Sequence, residues 1–463
     1  MTRPSVALGA AAVLALAPLV PAQATDDPAK APDQRTLTRT VDAVVIPGAV
    51  LGPKMQGAHL GRLRVYAVRN GVPVPIVHQF DERDPNGLYC YDKGDLDRRT
   101  RDVDGGHLDA NDELVVLAKD AGDRLAPERY ALVPGHTAAQ ELELRDPLDG
   151  GRGWIYVFRF DAPSIPPGRS SVDLVSLNMR KHGDEEKTYT WRSASWTFNN
   201  DKSRMNAVRA TYASFLDERG LPGPNILDST IVRAVVSFMW VEVVRQSNDI
   251  RVEIGGYIDG PLRVVAENRL KVYLALGLWA SAPDSYVILW PHKVSMPTNA
   301  SCPVNLDESG ESSYTLTMDL ARSAAGWKFF NSNNKTPVDI DGRTSPEEAA
   351  LDRSWPEWNC MFGPHGAIIS KFVIPQGMRR PTNQLFYKDD LTHRWPDNAE
   401  QQIEFEPGAW GTNGYYVDMR GLAKGIYPGD YVVWYAPPPF KPGDEAQYLN
   451  EWDHPLQVSA TAP

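Results

Sequence analysis

The sequence predicts an all-β protein: an N-terminal β-sandwich followed by a larger antiparallel β-sandwich with long loops. Three observations carry this. The run 262–279, LRVVAENRLKVYLALGLW, sets Leu262, Val264, Ala266, Asn268, Leu270, Val272, Leu274, Leu276 and Leu278 at even positions, with Arg263, Val265, Glu267, Arg269 and Lys271 between them. A period of two places one set on a buried sheet face and the other toward water, whereas a period of 3.6 would scatter these leucines around a helix. Upstream, Ile250, Val252 and Ile254 alternate with Arg251 and Glu253, and Asp259-Gly260 supplies the turn chemistry of a hairpin. From Thr38 to Phe160, short apolar runs recur with Pro and Gly between them at sandwich-like spacing.

The elements follow in order. Residues 38–168 form the first domain, with strands expected at Thr40 to Ile46, Arg62 to Val68, Val72 to Phe80, Glu113 to Lys119, Arg129 to Val133 and Trp154 to Phe160. The polar stretch 169–203, with the charged loop KHGDEEK at 181–187, reads as a linker. Residues 204–463 form the second domain. A short helix is expected at Asn206 to Glu218, and GLPGP at 220–224 breaks it. Val232, Ala234, Val236, Phe238 and Trp240 share one parity, and Gln246 to Asp249 is a polar turn; with the two strands after it this predicts a three-stranded meander. The run beginning at Leu262 is longer than an ordinary strand, so a bend or bulge is expected near Asn268. Further strands are expected at Tyr286 to Trp290, Tyr314 to Met318, Gly366 to Ile374, Gln402 to Phe405, Asp430 to Tyr435 and Leu456 to Ser459. An irregular insertion spans Asn331 to Cys360. Within it Ser345-Pro346-Glu347-Glu348 carries the N-cap, N1 proline and first-turn acids of a short helix.

The N-terminus reads as a secretory signal peptide. It has one cation (Arg3), an apolar run from Val6 to Val20, and the small-x-small site Ala22-Gln23-Ala24. Cleavage near Ala24 predicts a secreted or periplasmic protein with a disordered leader over 25–37. No other segment approaches the length a spanning helix needs. The chain of 463 residues has 48 basic and 59 acidic side chains, a net charge of -11, and removing Arg3 makes it more acidic still. That balance disfavours nucleic acid and anionic membrane as partners. Three cysteines, Cys90, Cys302 and Cys360, are too few for a disulfide framework and lack metal-ligand spacing. A single bridge, if formed, is expected between Cys302 and Cys360, which share one half of the chain.

Three groups of residues could carry chemistry. In the loop 92–124, Asp102, Asp104, Asp109, Asn111, Asp112 and Glu113 gather oxygen ligands around Gly105-Gly106 over the length of a calcium loop. The alternative is a solvated acidic turn before a strand, since the acid spacing departs from the calcium pattern at its fifth and eighth positions. The tryptophans concentrate after the meander, several in polar loops: WPEWN at 355–359, HRWPDN at 393–398 and GAWGTNGYY at 408–416. Flat aromatics beside Asn, Asp and Arg suit the apolar faces and hydroxyl edges of sugars, while buried anchoring is the competing role. Trp358, Arg394 and Trp410 are the candidate ligand contacts. His292, His365, His393 and Tyr415 are the titratable candidates, of which His365, His393 and Tyr415 are the ones a lyase-like base would come from. No G-x-S-x-G elbow, H-E-x-x-H, phosphate-binding loop, dinucleotide fingerprint or haem motif is present, which disfavours those enzyme classes.

The Asp259-Gly260-Pro261-Leu262-Arg263 turn and the long strand after it are similar to the D-G-P-V-R strand start of exported proteins of the galactose-mutarotase-like supersandwich type. That resemblance covers roughly 200–463, and NDELVVLAKDAGDR at 111–124 looks like the N-terminal part of similar exported proteins. It implies a supersandwich second domain of the kind found in polysaccharide lyases, and it carries no catalytic residue onto this chain. The functional expectation is a secreted β protein that binds, and if an enzyme then processes, carbohydrate through loops of its C-terminal domain. Trp358, His365, His393, Arg394, Trp410 and Tyr415 are expected to converge on one concave surface. The alternative is a non-catalytic structural or interaction protein of the periplasm or cell surface.

Overall fold

The computed structural model describes residues 34–94, 104–161, 172–181, 187–201, 206–239, 241–275, 278–281, 285–302, 304–393 and 408–461. The fold is all-β, in stacked antiparallel sheets. A large sheet runs from the strand Val338–Asp339 at one edge to Val175–Lys181 at the other, with Gly425–Ala436, Lys293–Cys302, Val264–Ala275 and Ile250–Asp259 in its middle. A second sheet of five strands, in the order Val241–Gln246, Leu227–Phe238, Ser313–Leu320, Ala409–Asp418 and Gln384–Asp390, packs on its inner face. Between the two lies the main core, with Val264, Ala266, Val287 and Val433 from the large sheet meeting Leu316, Met318, Leu385 and Tyr415 from the second. Outside the large sheet sits a three-stranded sheet built around Glu113–Leu117, itself backed by a five-stranded sheet around Arg152–Arg159. The helix Glu445–Asp453 closes another part of the outer face through Tyr448 and Leu449. Among the described residues no helix is long and apolar enough to cross a membrane.

This layering explains why the alternation in 262–279 fails at its start. Val264 and Ala266 face the main core as the parity predicts. Val265 is also fully buried, because the opposite face of the strand lies under the three-stranded sheet, against Val115 and Leu117. Arg263, expected in water, is 1% exposed. Farther along, where no second layer covers the strand, Lys271 is exposed and Leu270 is partly buried against the core. The irregularity expected near Asn268 is present on the partner strand, where the register shifts between Ile254 and Tyr257, opposite Asn268 and Ala266.

The hairpin at Asp259 forms, with Asp259 paired to Val264 across a four-residue turn. Gly260 is required there for closeness of approach, since a Cβ would lie 2.2 Å from Gln79 Cδ. Gln79 cannot swing aside easily. Its Oε1 accepts from the backbone of Leu262 (3.0 Å) and Arg263 (2.9 Å), and its Nε2 donates to Asp81 (2.8 Å). Gly260→Ala is therefore expected to cost about 1–3 kcal/mol as an overpacking change, read by urea denaturation. A cost near zero would show that the Gln79 contact is dispensable.

Several other expectations are corrected. The meander does not form: the strand Leu227–Phe238 turns back through Val241–Gln246 within the second sheet, and Gln246 to Asp249 carries the chain across to the large sheet. Along its central part the odd-numbered Ile231 and Val235 are buried, while the even-numbered Val232, Ala234 and Val236 are half-buried. The stretch 169–203 is no linker, since Val175–Lys181, Lys187–Ser193 and Trp196–Asp201 extend the large sheet. Trp191, Phe198, Trp196 and Tyr435 stack in series there, with centroids 5.6, 5.6 and 3.9 Å apart. The helix expected at Asn206 to Glu218 is the strand Asn206–Phe215, held by pairing to Trp196–Asp201, which overrides local preference. Arg129 to Val133 belongs to a 3₁₀ turn, Pro127–Leu132, started by a proline at its first position. Val72 to Phe80 splits into Val72–Pro75 and Gln79–Asp81, which lie in different sheets. The final strand, Gln457–Thr461, pairs with Ala138–Arg145, so the C-terminus returns to the N-terminal sheets. The strand expected at Gln402 to Phe405 lies outside the described residues.

Candidate functional site

The aromatic and titratable candidates do not converge on a surface. Tyr415 is fully buried in the main core and its hydroxyl donates to the carbonyl of Ser370 at 2.8 Å. Trp410 is 7% exposed and belongs to that same core. Trp358 lies in a different cluster on the outer face of the large sheet, edge-on to Phe330 with Lys335 Nζ 4.5 Å above its ring. His365 is half-buried in the tight turn between Asn359–Gly363 and Gly366–Val373. His393 is half-buried beyond the strand Gln384–Asp390, and Arg394 lies outside the described residues. Burial pushes the Tyr415 phenol well above its ordinary range, so it is not poised as a base at neutral pH, and burial lowers His292, which keeps its imidazole neutral there. Cys302 and Cys360 are free thiols. Cys302 and Cys360 sit in separate clusters, which corrects the expected bridge.

The acidic loop is a hydrogen-bonded turn over its described part. Asp109 Oδ1 accepts from the backbone of Asn111 and Asp112 at 2.9 and 3.2 Å. Asp112 Oδ2 accepts from the Asp109 backbone at 2.9 Å, and its Oδ1 accepts from Arg83 N at 3.1 Å. Glu113 is committed elsewhere, paired with Arg83 at 2.5 Å and with Arg263. Burial would raise its carboxyl, but the two guanidinium groups hold it low. Asp104 is exposed and Asp102 lies outside the described residues. Among the described residues no group of three His, Cys, Asp or Glu side chains is placed to hold a metal ion.

What the structure does present is an open polar cleft of about 540 Å³ on the second sheet, lined by Arg353, Gln384, Tyr416, Asp418 and Arg420 with Asp352, Ser354 and the turn 381–383. Its floor is set by register. Gln384 pairs with Tyr416, and Ser354 bridges to Gln384 from the other side, so their side chains share the outer face of the sheet. Tyr416 thus faces away from the core that its neighbour Tyr415 enters.

Both walls are traceable to local sequence. The Ser345–Glu348 capping box forms as expected, Ser345 Oγ accepting from Glu348 N and Glu348 Oε2 from Ser345 N. Glu348 Oε1 in turn accepts from the Tyr387 hydroxyl at 2.6 Å. Arg353 Nη1 donates to the Tyr387 carbonyl at 2.7 Å, and Leu385 N to the Arg353 carbonyl at 2.8 Å, which fastens 352–354 along the sheet edge. On the opposite wall Asp418 accepts from Thr382 Oγ1 at 2.6 Å and from Arg420 Nε at 2.9 Å, and its backbone N donates to Asn383 Oδ1 at 2.9 Å. The bonds from Arg420, then those from Thr382, hold the Asp418 carboxyl well below the usual range. Bonds from the Ser354 hydroxyl and backbone lower Asp352 likewise. Both cleft acids are therefore ionised at neutral pH.

Sequence reasoning missed these residues. The available signal was DRSW at 352–355, RRPTNQ at 379–384 and the YYVDMR run at 415–420, where polar side chains crowd around a strand that otherwise buries its residues. No family model matches the chain. Comparison with curated protein sequences finds no match. Among solved structures the fold is similar to an alpha-mannosidase from Enterococcus faecalis V583, with a TM-score of 0.39 and 9% identity. That match covers 92% of this chain and 45% of that one, so the chain spans less than half the length of that structure.

Proposed function

We propose that this is a secreted carbohydrate-binding protein that holds its ligand in the cleft over Gln384 and Tyr416 without cleaving it. The signal-like residues 1–24 support export. The observation that carries the binding reading is the cleft itself: a sheet floor with one half-buried phenol, ringed by amide, hydroxyl and guanidinium groups that suit a sugar's hydroxyl edge. Against hydrolysis stands the state of its acids. A glycosidase needs one carboxyl kept protonated as general acid beside one kept ionised. Asp352 and Asp418 are both held low, so neither can donate a proton at neutral pH.

The test is a glycan array followed by titration of intrinsic fluorescence. Trp355, half-buried beside Ser354 and 5.0 Å from the Tyr415 ring, is the expected reporter. Tyr416→Ala should weaken the best glycan about tenfold or more, the cost of removing an aromatic anchor, with an unchanged melting temperature. Binding that Tyr416→Ala does not affect would place the ligand elsewhere. Absence of any glycan ligand would leave a structural or interaction role.

A further inference from the structure

Resting on that assignment of the cleft, we infer that its ligand is an anionic glycan whose carboxylate or sulfate groups are taken by Arg420 and Arg353. The chain as a whole carries -11, so an anionic ligand is repelled from most of its surface and must find local compensation. Arg420 supplies it in an oriented form. Its Nε and Nη2 are fixed on Asp418, a carboxylate whose side chain is 4% exposed, while the guanidinium side chain is 48% exposed. Among the described residues Nη1 has no hydrogen-bond partner, so one edge of the fork is presented outward. A guanidinium pinned in this way has lost its rotamer freedom before the ligand arrives, and its planar donors match a carboxylate or sulfate.

Arg353 adds a half-buried cation, set in the field of the nearby Glu348 carboxylate. Its two Nη groups donate to the carbonyls of Tyr387 and Glu348, and among the described residues no carboxylate pairs with it. The turn that supplies Pro381, Thr382 and Asn383 begins with Arg379 and Arg380. Among the described residues neither forms an ion pair, and Arg380 Nε is buried with no partner. In the lining itself two acids, one of them committed to Arg420, stand against two arginines, a local balance that contrasts with the -11 of the whole chain. Gln384, Ser354 and Tyr416 on the floor are neutral and suit the sugar ring rather than the charge.

Matched pairs of polysaccharides test this on the full chain: polygalacturonate against its fully methyl-esterified form, and chondroitin sulfate against desulfated chondroitin. The expected result is at least about tenfold tighter binding of the charged member at low salt, the scale of a charge-assisted hydrogen bond, with the ratio falling as the Debye length shortens. Arg420→Gln should shrink that ratio, and Arg420→Lys, which keeps the charge and loses the fork, should restore only part of it. Equal affinity for charged and neutral members would overturn the proposal while leaving carbohydrate binding in place. A charge preference that survives both Arg420→Gln and Arg353→Gln would overturn the assignment of these arginines. If no member of any pair binds, and the array is also silent, the binding function falls and this inference with it.

Discussion

Replacing Arg263 with alanine is expected to cost about 3–5 kcal/mol, the scale of a buried ion pair broken from one side. Arg263 is 1% exposed and sits between the large sheet and the three-stranded sheet outside it. Its guanidinium pairs with Asp81 at 2.6 Å and with Glu113, and lies 5.4 and 5.1 Å from the rings of Tyr89 and Trp290. Burial pulls the guanidinium down, but the fields of Asp81, Tyr89 and Glu113 override it and raise its pKa, so it is permanently charged. Asp81 is fully buried beneath it, and without Arg263 that carboxylate would lose its cation. Arg83, on Glu113 at 2.5 Å, cannot replace it there, because it is tied to the Gly87 carbonyl at 2.6 Å on the far side. The pair can be isolated by a double-mutant cycle: Arg263→Ala with Asp81→Ala should cost well under the sum of the two single changes. Additive losses, each below about 1 kcal/mol, would show that apolar contacts alone hold the two sheets together.

Arg263 also marks where sequence reasoning stops. Its alternation with Leu262 and Val264 is that of a strand with one wet face, and a linear pattern cannot report that a second sheet, formed mainly by residues 43–47, 79–81 and 113–117, will cover that face. The strand itself was legible, as were the capping box at Ser345 and the hairpin at Asp259, because each depends on contacts within a few residues. The three strands between 175 and 201 were hidden by polar, charged residues at their exposed positions, although Val175 with Leu177 and Tyr189 with Trp191 repeat at period two. The cleft was illegible for a related reason. Aromatic residues in polar loops suggested Trp410 and Tyr415, but loop tryptophans such as Trp358 fill cores beneath the loops, and the phenol that reaches the surface is the adjacent Tyr416. One residue of register separates the core from the site, and pairing between Gln384 and Tyr416 decides it.

Stability should pass through a maximum near pH 5 and fall toward neutral pH, the direction in which the growing negative charge of the chain also acts. Three buried carboxyls are responsible. Burial raises Asp319 well above the usual range despite bonds from Thr412 Oγ1 at 2.7 Å and Trp410 N at 2.9 Å, with Asp228 and Asp389 adding repulsion. Burial likewise raises Asp389 to about 6, against backbone donors at Asp341, Gly411 and Gly342, and Asp430 to about 6. A carboxyl with a raised folded-state pKa binds more protons folded than unfolded. Its contribution is complete below the unfolded value near 3.9 and is lost as pH rises through about 6. Carboxyls held low, Glu113 and Asp418 among them, act oppositely, and their contribution disappears as pH falls below the ordinary range. Between pH 5 and 7.5 the raised groups dominate, and a loss of about 2–4 kcal/mol is expected in urea denaturation. Asp319→Asn separates this from other causes. Oδ1 can keep both of its donors, and the amide replaces Oδ2, a buried oxygen that has no hydrogen-bond partner among the described residues. The variant should gain about 1–3 kcal/mol over wild type at pH 7.5 and little at pH 5, which flattens the profile. Parallel curves for the two proteins across that range would mean that the fold does not hold Asp319 protonated, and the decline would then have to originate in Asp389 and Asp430.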